Sequence, residues 1–337
     1  MRAASFTFAL TAVAFSVVAG LAVGPVQIGL GEIAQSLVAR GPGFGVDSPL
    51  SATEDVIVFE LRAPRVVLAL LVGGMLAVAG ASYQGVFRNP LADPYLLGVA
   101  GGAGLGATLV IAYGAGSGSE LLPLAAFVGA ACAVLAAYAL ARTASSERRS
   151  PAALILAGVT VASFCTAVQT FIQQQHSETL GSVYAWLLGH LDAAEWATVL
   201  VALPYVVFSA AVLLLHRRIL DVLTLGDEEA ASLGIDVRRV RALVVGAATL
   251  GTAAAVAVSG LIGFVGIIVP HAIRLATGAH FRTLLPLSFA LGGAFLVLAD
   301  AGARTVLAPA ELPVGIITAV LGAPFFAVVL RSTRVAA

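Results

Sequence analysis

WATVLVALPYVVFSAAVLLLHRR, residues 196–218, decides the fold. No charge interrupts Trp196 to Leu215, and His216, Arg217 and Arg218 then follow together. A helix of about 20 apolar residues is about 30 Å long, the thickness of a bilayer's hydrocarbon core. A basic cluster at one end marks the cytoplasmic side. The pattern recurs. Apolar windows predict an all-α polytopic membrane protein with about ten transmembrane helices, at 5–24, 63–84, 94–113, 121–141, 151–173, 196–215, 239–258, 262–278, 284–304 and 313–331. The eighth is short and holds Pro270, His271 and Arg274, so it needs protein or water around it.

Composition excludes much else. The 337 residues are 60% hydrophobic and 11% charged, against about 25% charged in soluble domains. Formal net charge is zero, which gives no basic field for nucleic acid. Every one of the 18 basic residues is arginine. A phosphate-binding P-loop needs a lysine, so ATP is not bound that way here. Cys132 and Cys165 lie in apolar runs without metal-ligand spacing. No metal site and no catalytic residue is expected. Phe6–Ala22 is long for a signal segment and reads as the first span.

Arginine placement sets the orientation. Arg40, Arg62, Arg65 and Arg304 fall outside, and the other fourteen fall inside. Both termini are then cytoplasmic. An internal repeat is also legible. Leu121-Leu122-Pro123-Leu124 with Gly129 echoes Leu284-Leu285-Pro286-Leu287 with Gly292, and Gly80 precedes Pro90 by the same interval as Gly260 precedes Pro270. Five spans separate the copies, which inverts the second. One permease domain, 1–337, thus contains repeat 1 at about 62–174 and repeat 2 at about 238–331.

The longest inside connection is about 216–241. Within it, Leu225, Gly226, Asp227, Glu228, Glu229, Ala230, Leu233 and Gly234 predict a two-turn helix. The acids suit its N-terminus and Gly234 its stop, with Ala230 and Leu233 on one side. So short a helix requires a partner surface.

This segment resembles the coupling helices of type II ABC importer permeases (FecCD type), the family that handles iron–siderophores, haem and vitamin B12. Leu61-Arg62-Ala63-Pro64-Arg65, Gln84 through Pro94, Trp186-Leu187-Leu188-Gly189, Gly263 through His271, and Ala308 through Gly315 continuing to Phe326 match in the same order. The resemblance implies a vitamin B12 importer permease-like fold in a bacterial cytoplasmic membrane. It implies a second permease subunit, two cytoplasmic ATPase subunits carrying ATP-Mg, and an extracytoplasmic substrate-binding protein. No cofactor is expected on this chain, and membrane lipid is its remaining contact. Arg62, Arg65 and Arg304 would dock the binding protein; an intrachain pair is the alternative, since Arg304 follows Asp300 by four residues. Gln169 and Gln173 would line the translocation path. Thr143, Ser145 and Ser146 would belong to a loop that closes the pore inside. Ferric siderophore is the expected cargo, with vitamin B12 and haem as alternatives. An ion-coupled transporter would want ionisable residues at mid-membrane, and only Asp300 and Asp93 come near.

Overall fold

The computed structural model describes residues 2–40, 48–114, 120–143 and 151–335. Among them every regular element is helical. Helix α1 (Arg2–Ala22) is followed by short α2 (Leu30–Ala39). α3 (Ala52–Val56) runs through a π-helical turn at Ile57–Arg62 into α4 (Ala63–Phe87). Then come α5 (Val99–Tyr113), α6 (Leu121–Thr143), α7 (Pro151–Gln175) and α8 (Leu180–Leu187). They are followed by α9 (Trp196–Leu215), α10 (Arg217–Leu223), α11 (Asp227–Ser232), α12 (Val237–Ser259), α13 (Val265–Thr277), α14 (Phe281–Ala303) and α15 (Val314–Val335).

Seven helices are long and apolar enough to cross a bilayer, and α5, α13 and the apolar part of α15 are shorter. The ten predicted spans are these ten helices, with two instructive differences. The third begins at Val99 rather than near 94. Asn89 and Asp93 each accept a backbone N–H two residues on, at 2.9 and 2.8 Å, and Gly98 takes a φ of +88°. Such side-chain turns compete with a helix. The second starts earlier than expected, because Ser51 and Glu54 cap α3 reciprocally and the π turn carries it into α4.

α4 and α14 form the centre, buried along most of their length. Small residues let them cross closely: a Cβ at Gly73 would lie 2.3 Å from the Gly292 carbonyl oxygen. α6 uses Gly129, the repeat counterpart of Gly292, to pack on Gly102 of α5. α4 also lies against α13, while α12 lies against α5 and α6. That exchange of partners between the halves is the pattern an inverted repeat produces.

The irregular starts of α5 and α13 are sewn together. Tyr95 donates its hydroxyl to the Ile262 carbonyl at 3.0 Å and accepts the Ile262 N–H at 3.1 Å. Gln84 donates to the carbonyls of Ala92 and Gly266. Non-helical backbone at this depth survives because protein satisfies its polar groups.

Candidate functional site: a buried arginine cluster, an acidic knob and a hydroxyl-lined groove

The three arginines expected outside gather at one end of the bundle, but none has a free guanidinium. Arg62, Arg65 and Arg304 are 5, 9 and 3% exposed. Arg62 donates to the carbonyls of Leu21 and Ala22 at 2.7 and 3.1 Å, and to that of Val26. It thereby caps the C-terminus of α1, where unpaired carbonyls and the helix dipole favour a cation. Arg304 donates to the Gly20 carbonyl at 3.0 Å. Its Nε lies 3.1 Å from Asp300 Oδ2, close enough for an ion pair but without hydrogen-bond alignment. Arg65 forks onto Asp300 at 2.8 and 2.9 Å and reaches Glu311 at 2.8 Å. Asp300 is 1% exposed and serves both Arg65 and Arg304. The i, i+4 pair anticipated from sequence is present. The Arg65–Asp300 and Arg65–Glu311 pairs were not anticipated, and no local spacing signals them.

At the opposite end, α11 forms as its sequence predicts. Gly234 sits at a φ of +80°, donates to the Ala231 carbonyl, and is followed by Ile235 donating to Ala230. This is a Schellman stop, and the left-handed φ is what glycine allows there. The helix faces differ from expectation. Ala230 is fully buried, whereas Leu225 and Leu233 stand 66 and 65% exposed. Ala230 and Leu233, expected on one side, thus differ in exposure: Ala230 packs onto the bundle and Leu233 stands clear of it. Glu228 and Glu229 are also exposed. Asp227 is held by Arg241 at 2.9 Å and by Arg88 at 3.4 Å. Asp221 of α10 accepts the Phe281 N–H of α14 at 2.6 Å. The result is an acidic knob with two unpartnered leucines, braced against α12 and α14.

Of the α7 glutamines, Gln174 and Gln175 are exposed, whereas the two expected on the translocation path are not. Gln169 and Gln173 are buried, and a Cβ at Gly104 would touch Gln169 Oε1 at 2.9 Å. Gly104 on α5 leaves the room that the Gln169 side chain occupies. The exposed face of α7 instead carries Thr160, Ser163, Thr166 and Thr170. Ser163, Thr166 and Thr170 line a groove of about 520 Å³ together with Tyr95 and Leu96. Thr160 and Thr170 return their hydroxyls to their own helix at 2.8 and 2.9 Å. The sequence signal was the three- and four-residue spacing of hydroxyls in an apolar helix. Thr143 closes α6 by donating to the Leu140 carbonyl at 2.7 Å. Ser145 and Ser146 lie outside the described residues.

Between the halves, Asp93 sits in the loop that precedes α5, where burial pushes its carboxyl up to about 6 against the opposing Tyr95 N–H bond. Among the described residues no group of three or more His, Cys, Asp or Glu side chains converges on a metal position.

These features define a multi-pass helical membrane protein with an acidic knob at one end and a buried charged cluster at the other. The chain belongs to the FecCD transport family, whose profile matches residues 12–332. It is 45% identical over 294 residues to the cobalamin import system permease protein BtuC of Halobacterium salinarum, covering 87% of this chain and 77% of that one. It is 45% identical over 274 residues to the hemin transport system permease protein HmuU of Yersinia pestis, covering 79 and 80%. A solved ABC transporter described as metal-chelate type, in an inward-facing conformation, superposes with a TM-score of 0.85 at 28% identity, covering 98% of this chain and 100% of that one. The chain is accordingly an ABC importer permease subunit, a transport component whose ATP hydrolysis belongs to a separate subunit.

Proposed function

We propose that two copies of this chain, or this chain and a close relative, enclose a pathway for a metal chelate, with a ferric siderophore as cargo. Relatives and neighbour are named for a cobalt corrin, an iron porphyrin and a metal chelate, which share a metal wrapped in an organic ligand. The wall offered to such cargo is the hydroxyl face of α7. Thr160 and Thr170 already donate to their own helix, and such hydroxyls offer only weak contacts, so cargo passes without being trapped. Vitamin B12 and haem are the alternative cargoes.

The observation that carries the reading is the α11 knob. Two exposed leucines on an acidic two-turn helix have no partner within the described chain, and each ATPase subunit would seat one such knob. That end is cytoplasmic by its arginines, as are both termini. α14 links the ends: Phe281 is tied to Asp221 beside the knob, and Asp300 anchors the outer cluster. Repeats 1 and 2 then rock about this shared centre when the ATPases close.

Docking of the substrate-binding protein is proposed at the outer cluster, by exchange rather than by free arginines. Glu311 is 35% exposed and holds Arg65 from outside. An acidic residue of the binding protein would replace Glu311 on Arg65. The test reconstitutes the permease with its ATPase and loaded binding protein. Replacing 227–234 by a Gly/Ser linker should abolish ATPase capture. Retained capture overturns the coupling assignment. Mass spectrometry of ligand carried by the binding protein purified from cells decides among siderophore, haem and B12.

A further inference from the structure

Beside the knob, a cavity of about 760 Å³ opens between α6, the start of α7 and α12. Its wall is apolar for most of its length, with Phe127, Val134 and Leu135 on one side and Val245 and Ala253 on the other. Its mouth is charged: Arg142, Arg238, Arg241 and Asp227 meet there. Three guanidiniums thus face one carboxylate, and that carboxylate is already bound by Arg241 and Arg88. Among the described residues Arg142 and Arg238 form no ion pair. Arg142 rests 5.9 Å over the Tyr138 ring. The Nε of Arg241 is buried without a hydrogen-bond partner.

The depth suits an amphiphile. Phe127 and Arg142 are fifteen residues apart on α6, about 22 Å along a helix. The acyl chains of one leaflet fill about 15 Å. An apolar slot of this depth, with excess positive charge only at its mouth, lacks the polar contacts that a free polar cargo needs. It complements a molecule with an anionic head and a hydrocarbon tail, and basic pockets between membrane helices bind such headgroups. The volume lies in the usual range for ligand sites, about 300–1,000 Å³.

We propose that this cavity binds an anionic phospholipid, its headgroup phosphate on Arg142, Arg238 and Arg241 and an acyl chain between α6 and α12. Arg241 also holds Asp227, so the bound headgroup shares a residue with the coupling knob and steadies it. The proposal requires only that the helices span a bilayer; it depends on neither the cargo nor the docking mechanism.

The experiment uses the permease–ATPase complex, delipidated in detergent and titrated with phosphatidylglycerol or phosphatidylcholine under native mass spectrometry. Two variants probe separate halves of the site. Gly246→Leu fills the slot: Gly246 lines the cavity, and a Cβ there meets nothing within 4 Å. Arg142→Gln/Arg238→Gln removes exposed headgroup charge and leaves the packing untouched. Phosphatidylglycerol should be retained by the wild type in preference to phosphatidylcholine, and each variant should weaken it about tenfold or more. Inorganic phosphate should fail to displace it. Equal retention of the two lipids, unchanged retention in the arginine variant, or full displacement by phosphate overturns the proposal. So does loss of ATPase capture by Gly246→Leu with lipid retention intact, which would make the slot an ATPase seat.

Discussion

Asp300→Asn should be among the most damaging single-atom exchanges in this protein. Asp300 is 1% exposed and balances two guanidiniums, Arg65 at 2.8 Å and Arg304 at 3.1 Å. Asparagine keeps the volume and one acceptor oxygen but leaves both cations without their shared counter-charge. Removing one member of a buried ionic group costs about 3–5 kcal/mol. The retained acceptor argues for the lower end, about 3 kcal/mol, which is roughly a hundredfold in the unfolding equilibrium. The assay is reversible unfolding in mixed micelles, followed by fluorescence of Trp186 and Trp196. Arg239→Gln serves as the contrast. Its pair with Asp236 is open to solvent, with side-chain exposures of 88 and 52%, and such pairs contribute at most about 1 kcal/mol. A third variant separates folding from docking. Arg65→Met/Asp300→Leu/Arg304→Met replaces the three buried charges by apolar volume, leaves the 35% exposed Glu311 to solvent, and should be close to wild type or more stable. Its uptake should nonetheless fail if docking proceeds as proposed, with Arg65 offered to the binding protein. Asp300→Asn within about 1 kcal/mol of wild type would refute the assigned role of the cluster. A triple variant less stable than Asp300→Asn would refute the bookkeeping behind it.

Gly80→Val should destabilise by at least about 1–3 kcal/mol, because a Cβ there would stand 2.0 Å from the Gly266 carbonyl oxygen; Gly31→Ala, with nothing within 4 Å, should be neutral or mildly stabilising in the same unfolding assay. Asp93 carries a folded pKa raised to about 6, so the folded state binds its proton more tightly than the unfolded chain does. Stability should rise by about 1 kcal/mol as pH falls from 7 to 5, and Asp93→Asn should remove that increment; a slope of opposite sign would contradict the burial of the carboxyl. Leu225→Ser/Leu233→Ser should leave the unfolding midpoint unchanged and weaken ATPase capture, whereas Ala230→Asp should impair folding itself, because Ala230 is fully buried.

The spans were legible because each depends on one window of sequence. Trp196–Leu215 needs no knowledge of its neighbours to be recognised as a crossing. The cap of α11 was legible for the same reason: Gly234 and the acids around Asp227 act within one turn. Side-chain direction was less accessible. Gln169 and Gln173 were expected to line the translocation path; both are buried, and the room for Gln169 is made by Gly104 on another helix. The exposed face of α7 was carried by Ser and Thr, which are common enough in membrane helices to escape notice beside a run of glutamines. Ala230 and Leu233, three residues apart, were expected on one side; which of them meets the bundle is decided by the neighbouring helices, which a local reading does not include.

The charged residues show where local reading ends. Asp300–Arg304 and Asp236–Arg239 are pairs at helical spacing, and both are visible in sequence. The partner that determines the chemistry of Asp300 is Arg65, 235 residues away. An arginine at a predicted outer helix end looks identical whether it faces a partner protein or a carboxylate delivered by a distant helix. Positive-inside counting does not distinguish them, because it registers where a charge lies along the membrane normal and not what neutralises it. Arg62 makes the point most sharply: its partners are backbone carbonyls at the end of α1, groups that every residue carries and that no motif records. The docking proposed at this end accordingly runs through the exposed member of the cluster, Glu311, because the cations behind it already hold α1, α4 and α14 together.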